Sequence, residues 1–330
     1  MINGFPGKRG RGSTRQSFSL WLCLLVLLLL APMSARSQEA PAAQFQEQVE
    51  VHWVLVPVVV RSPRGYITDL KRSDFSLTVD GRTVSLASFD RGNDAPVSLV
   101  LMQDLSGSMG IGNELELSRR ALDCLLAAHR PGDRWAVASF ANGQVFVDVP
   151  FTSNLGAVRE AIEGFRAYGK TALYDAVSWL PKIALSSESN KRAAILITDG
   201  VDNASTIDPG TARGQVEAAR LPVYVLGFST GTPYALDPEG HKIYRYADLL
   251  NLLASLTGGS YYPVSDQDQV DAACRSIVQS LRFQYVLGFK AGGRGVDRYH
   301  HIEVNVDRDR RHWKLSFRRG YQGPPPLASP

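Results

Sequence analysis

From Pro96 to Leu281 short, almost wholly apolar runs alternate with stretches of helical periodicity, and that alternation leaves few folds open. Val97–Met102, Ala193–Thr198 and Val223–Phe228 read as buried strands. A strand apolar along its whole length must be covered on both faces, which a parallel sheet between two layers of helices provides. Glu114–His129, Leu155–Phe165, Ala172–Leu185, Ala212–Arg220, Tyr246–Leu256 and Asp268–Leu281 supply the helices. Trp135–Phe140 and Val145–Val149 are strands around the turn Asn142-Gly143, and Ser260–Pro263 is a further short strand. The expected fold class is α/β: a mostly parallel sheet covered on both faces by helices. In such sheets functional groups gather at the carboxyl ends of the strands.

Both flanks of this region read as β. Residues 49–92 hold the β-branched run Val51–Val60, interrupted by Pro57, which points to an edge position or a bulge. Ser62-Pro63-Arg64-Gly65 is a turn, Phe75–Val79 alternates apolar and polar, and Asp80-Gly81 signals a hairpin with Thr83–Phe89 as its return strand. After Arg282, Phe283–Phe289, Tyr299–Val306 and His312–Phe317 read as strands, making 283–320 a second β-rich flank before a Pro-rich tail, 321–330. The two flanks are expected to share one small accessory β-domain, with the α/β region inserted between them.

The first 37 residues carry an export signal. Lys8 to Arg15 form a basic segment, and Phe18 to Ala31 is a mostly apolar run of 14 residues, short of the ~20 that span a bilayer. Ala35-Arg36-Ser37 places small residues for cleavage before Gln38, the order of a secretory signal peptide; left uncleaved, the same segment is a membrane anchor. Residues 38–48 are a polar, Ala-rich linker. The expected location is periplasmic or extracellular. The formal charge of +4 misleads, because residues 1–37 hold five basic residues and no acid; without them the chain stands at −1, which excludes a global bias toward nucleic acid. An apolar fraction of 44% with 21% charged residues excludes a disordered tail protein. No second apolar run spans a membrane. Cys124 and Cys274 alone remain past the leader, too few for a disulfide scaffold or a Cys-rich zinc site but enough for one cystine in an oxidising compartment.

The candidate chemistry lies at strand ends. The first apolar strand runs into Asp104-Leu105-Ser106-Gly107-Ser108, where spacing i, i+2, i+4 turns three oxygen side chains toward one point. Gly169-Lys170-Thr171 stands just before a helix, and Ile195-Leu196-Ile197-Thr198-Asp199-Gly200 places an acid where a buried strand ends. Each piece alone also suits a polar turn or a helix cap. Together, two carboxylates and three hydroxyls on three loops suit a hard divalent cation; the set has none of the nitrogen or sulfur that zinc favours.

On these residues the chain resembles the von Willebrand factor type A domain over about residues 94–282. Asp104, Ser106 and Ser108 stand as its DxSxS motif, Thr171 in GKTALYDA as its second-loop threonine, and Asp199 in ITDG as its third-loop aspartate. The flanks VPVVVRSPRGYITDLKRSDFSLTVDGRTVSLASFD, YVLGF, HIEVNV and RRGY resemble exported von Willebrand-type A proteins found widely in Acidobacteria. The resemblance implies a Rossmann-like, doubly wound, mostly parallel sheet with Mg²⁺ (or Mn²⁺ or Ca²⁺) at a metal-ion-dependent adhesion site on its top edge, where an Asp or Glu of a protein partner completes the coordination. It implies binding, not catalysis. The family often has a second glycine where this chain has Lys170.

Two other readings compete. Gly227-Phe228-Ser229-Thr230-Gly231 matches the G-x-S-x-G elbow of serine hydrolases, with His241, His300 and His301 available as bases, but Pro233, Pro238 and Gly240 follow where that elbow needs a helix. An accessory subunit of a chelatase or ATPase complex is the other; the leader argues against a cytosolic location, and the chain has no G-x-x-x-x-G-K-[ST] loop. Asp202 and Asp208 after Asp199 make an acidic loop suited to a second, calcium-type ion or to solvent.

Overall fold

The computed structural model describes residues 52–92, 95–189, 191–218, 221–228, 234–236, 240–291, 298–307 and 312–323. The leader, the linker and Ser229–Gly231 lie outside the described residues. The N-terminal flank forms β1 (His52–Ser62), β2 (Gly65–Tyr66), β3 (Phe75–Val79), β4 (Arg82–Val84) and β5 (Ser88–Arg91). Asp80 and Gly81 both take positive φ (50° and 75°), as a two-residue hairpin requires, and join β3 to β4. The single return strand expected over Thr83–Phe89 is two strands in different sheets. Leu86 turns into the core between them, and β5 goes on to pair with a strand from the other end of the chain.

The central region runs β6 (Ser98–Asp104), a short 3-10 turn, α1 (Glu114–Ala127), β7 (Arg134–Ala141), β8 (Gln144–Thr152), α2 (Leu155–Glu163), α3 (Leu173–Leu185), β9 (Arg192–Thr198), α4 (Pro209–Ala218) and β10 (Val223–Phe228). A hairpin of β11 (Tyr234–Leu236) and β12 (Lys242–Arg245) follows, then α5 (Tyr246–Thr257), β13 (Tyr261–Val264) and α6 (Gln267–Arg282). Six of these strands form one sheet in the order β13-β10-β9-β6-β7-β8, parallel except for β8. Alternate residues of the buried strands feed two cores. Leu99, Leu101, Ile195 and Ile197 meet α1, α2 and α6 on one face; Val100, Met102, Ala194 and Leu196 meet α3, α4 and α5 on the other. This is the fully covered sheet that the apolar runs demand. The chain-order reversal, where crossovers leave toward opposite sides, falls between β6 and β9. No helix among the described residues is long and apolar enough to cross a membrane.

The C-terminal flank adds β14 (Tyr285–Ala291), β15 (Tyr299–Val306), β16 (Lys314–Phe317) and β17 (Gly320–Gln322). Tyr321 and Gln322, expected in the tail, instead pair through β17 with β15. Strands from the two flanks alternate in the order β16-β1-β14-β5, and a second sheet, β17-β15-β3-β4, joins a C-terminal pair to an N-terminal pair through β15 and β3. Val54, Val56, Val58, Leu287 and Phe289 pack across to Leu77, Ile302 and Val304 in a separate core. At Pro57 β1 is locally an edge: β14 lies on one side, and β16 reaches only Val58–Arg61 on the other. Where the chain passes between the two layers, the Gly92 N–H donates to the Gln284 carbonyl at 2.9 Å, and the Lys191 ammonium donates to the Gly92 carbonyl.

Candidate metal centre

Asp104 is the last residue of β6 and Asp199 follows the last residue of β9, so the two carboxylates come from the adjacent strands at the point where strand order reverses. Ligands of open α/β sheets bind at that crevice. Asp104 is 0% exposed and Asp199 5% exposed. Asp104 Oδ1 accepts from the Ser106 N–H at 2.8 Å, and Oδ2 accepts from Thr198 Oγ1 at 2.6 Å. Asp199 Oδ1 accepts from the Val201 N–H at 3.1 Å. Burial first, and the neighbouring Asp199 charge second, push the Asp104 carboxyl up to about 7 against the hydrogen bonds from Thr198 and Ser106.

Three loops converge here. Ser106 and Ser108 bring their hydroxyl oxygens to 3.1 Å. The first loop is clasped to the second, since Tyr168 N–H donates to the Leu105 carbonyl at 2.7 Å and Gly107 N–H to the Gly169 carbonyl at 3.0 Å. The second is clasped to the third at Thr171, whose N–H donates to Asn203 Oδ1 at 2.9 Å while its carbonyl accepts from the Asn203 N–H at 3.0 Å. Thr171 itself is buried, directly before α3. Gly169 has φ +73°, and a Cβ there would fall 2.1 Å from Asn142 Oδ1, so only glycine fits between the loop and the β7–β8 turn. Lys170 is exposed, with its main chain pinned by a reciprocal pair to Asn142.

The structure thus joins Asp104, Ser106, Ser108 and Asp199 through β6, β9 and their loops, and holds Thr171 in a loop bonded to both. The helpers Thr198, Asn142 and Asn203 have no signal in the sequence pattern beyond their nearness to the motifs. The acidic loop is spent locally. Asp202 Oδ1 accepts from the Leu173 N–H at 2.8 Å at the start of α3, and Asp208 Oδ1 accepts from the Gly210 and Thr211 N–H groups at the start of α4. Among the described residues no three His, Cys, Asp or Glu side chains gather into a metal-binding group. The donor set is two buried carboxylates plus hydroxyls, which fits a hard dication.

The hydrolase reading gains no support from the described residues. The next described element after β10 is the strand β11, not a helix. His300 is buried in the sandwich and paired with Asp80 at 2.8 Å, while His301 points to the exposed side of the same strand.

Sheet order, helix layers and loop placement define a doubly wound α/β domain with an oxygen-lined site at its switch point. Residues 99–201 match the family model described as von Willebrand factor type A domain, and the chain carries such a domain. Among solved structures it is similar to a conserved hypothetical protein, BatB, from Bacteroides thetaiotaomicron, at 23% identity over 57% of this chain and 97% of that one, with a TM-score of 0.44. It is also similar to a von Willebrand factor type A protein from Catenulispora acidiphila (12% identity, 84% and 75% covered, TM-score 0.46) and to the pilus adhesin SpaC from Lactobacillus rhamnosus GG (14% identity, 64% and 35% covered, TM-score 0.47). No curated protein matches the chain.

Proposed function

We propose that the chain is an exported protein-binding module of the adhesion type, in which Asp104, Ser106, Ser108, Thr171 and Asp199 hold one Mg²⁺, or another hard dication such as Mn²⁺ or Ca²⁺. One observation carries this reading: two buried carboxylates meet at the switch point among hydroxyl groups, and burial together with the Asp199 charge disfavours the charged form of Asp104. When bound, the dication supplies a coordination position for a carboxylate of a partner protein. The chain's own part is to keep the oxygen donors dry and pre-positioned. Thr198 and the Ser106 amide hold Asp104, and the clasps at Gly107 and Thr171 hold the loops that carry the hydroxyls. Lys170, next to Thr171 on the second loop, is exposed. The reading assigns no catalysis to the chain, and it places the protein outside the cytoplasm on the strength of residues 1–37.

Calorimetric titration with Mg²⁺ tests the site. The wild type is expected to bind one ion, and Asp104→Ala to bind none while keeping the wild-type circular dichroism spectrum. Capture from the protein's own envelope fraction then tests the bridge: a partner retained in Mg²⁺ is expected to be lost both in chelator and with Asp104→Ala. Equal Mg²⁺ affinity in the variant, or capture that survives chelator, would overturn the reading.

A further inference from the structure

Helices α1 and α6 lie side by side on one face of the parallel sheet, and three polar contacts register them. Arg120 pairs with Asp271 at 2.7 Å, the Cys274 thiol reaches the Ala121 carbonyl at 3.5 Å, and an Arg282 N–H donates to the Ala128 carbonyl at 3.2 Å. These contacts advance along both helices in the same direction. Cys124 stands one turn beyond Arg120 and between Ala121 and Ala128, on the stripe that faces α6. Cys274 is fully buried in the core that both helices share, and half-buried Cys124 packs against that same core. The Cys274 sulfur therefore lies against α1 within one helical turn of Cys124. Ala121 and Ala273 keep the seam thin enough for a sulfur of one helix to touch the main chain of the other.

We propose that Cys124 and Cys274 become a disulfide in the exported protein, a covalent staple between α1 and α6. The pairing is independent of the metal site. It uses an oxidant of the disulfide class, such as a thiol oxidase or glutathione disulfide. The Cys124 thiolate, on the half-exposed side, attacks one sulfur of the external disulfide and expels a thiolate. Cys274 then loses its proton and attacks Cys124 Sγ, expelling the second thiolate. One cystine is formed and one external disulfide is reduced to two thiols. Burial and the adjacent Cys124 raise the Cys274 thiol pKa, so the second step is slow once the helices have docked, and the bond closes as the chain folds. The closed loop contains β7 through β13, every strand of the parallel sheet except β6. It therefore restricts the unfolded chain over most of the domain.

The test alkylates denatured protein without reductant after recovery from an oxidising compartment, whether directed there by residues 1–37 or by a substitute leader. Purified reduced protein refolded with glutathione disulfide gives a second arm that does not depend on export. In both arms neither cysteine is expected to take up the alkylating agent until reductant is added, and digestion is expected to yield one peptide pair linked through Cys124 and Cys274. Reduction is expected to lower the melting temperature by on the order of 5–15 °C. Cys124→Ser is expected to melt with the reduced wild type and to ignore reductant. Two alkylated cysteines in both arms, a cystine that joins two chains, or a melting temperature unchanged by reduction would overturn the proposal.

Discussion

Asp104 ends a strand whose every residue is buried, so its carboxyl enters the site without water around it. Its folded pKa of about 7 against an ordinary 3.8 sets the sign of a pH effect. Between those values the folded, metal-free protein holds a proton that the unfolded chain has released. Stability in chelator therefore drains away through Asp104 as pH rises from about 4 to about 7. Asp104→Asn carries no such charge. The stability of the variant relative to wild type is expected to grow by on the order of 2–4 kcal/mol across that window in chelator. Excess Mg²⁺ at pH 8 is expected to reverse the ranking. Denaturant melts of the two proteins at pH 4.5 and pH 8 read this directly, and a difference that stays constant with pH would refute it. The residues of the motif were legible in the sequence because three loops each carried an oxygen-rich signature at the end of an apolar or helical pattern. Thr198, Asn142 and Asn203 were not, because nothing local separates a threonine that bonds across to a neighbouring strand from one that faces solvent.

Among the elements, α6 has to hold the far end of the sheet. Its last residue, Arg282, forms a buried ion pair with Asp133 in the turn before β7, and Asp133 also accepts from the Val97 and Arg130 N–H groups at 2.9 and 2.8 Å. Burial alone would push the Asp133 carboxyl up; the Arg282 guanidinium and the two amides outweigh it and hold the group below the ordinary carboxylate range. Removing one partner strands the other charge. Arg282→Met is expected to cost about 3–5 kcal/mol, and roughly 10 °C in melting temperature. The double variant Asp133→Asn, Arg282→Met is expected to lose less than the two single variants added together. A thermal-melt cycle measures this, and strict additivity would show that the pair is not coupled. Element type followed from period almost everywhere, since strands buried on both faces and one-sided helices leave different patterns. The return strand at Thr83–Phe89 broke this rule because an alternating pattern continues unchanged across a corner between two sheets. The β11–β12 hairpin was missed because its flanking prolines and glycine read only as loop.

For the whole molecule, the two ends of the chain build one sandwich whose core is separate from the two cores of the α/β sheet. Leu287 is fully buried in that third core, so Leu287→Ala is expected to cost about 2–5 kcal/mol while Mg²⁺ affinity stays within two-fold of wild type. Melts and calorimetry on the one variant test both halves of the statement; a large loss of affinity would mean that the sandwich and the metal loops are coupled. The apolar runs, the helical periods and the hairpin dipeptides Asp80-Gly81 and Asn142-Gly143 determined by themselves that the chain makes a covered α/β sheet with β-rich flanks, because each is a local constraint that the backbone meets wherever the segment lies. Strand order was left to the tertiary structure. A buried strand is equally apolar beside any neighbour, so only three-dimensional packing decided that β6 lies next to β9, which brings Asp104 to Thr198 and Asp199, and that β1 lies between β14 and β16 from more than 200 residues away. Both pairings close long loops, and only the contacts made after closure repay that entropy.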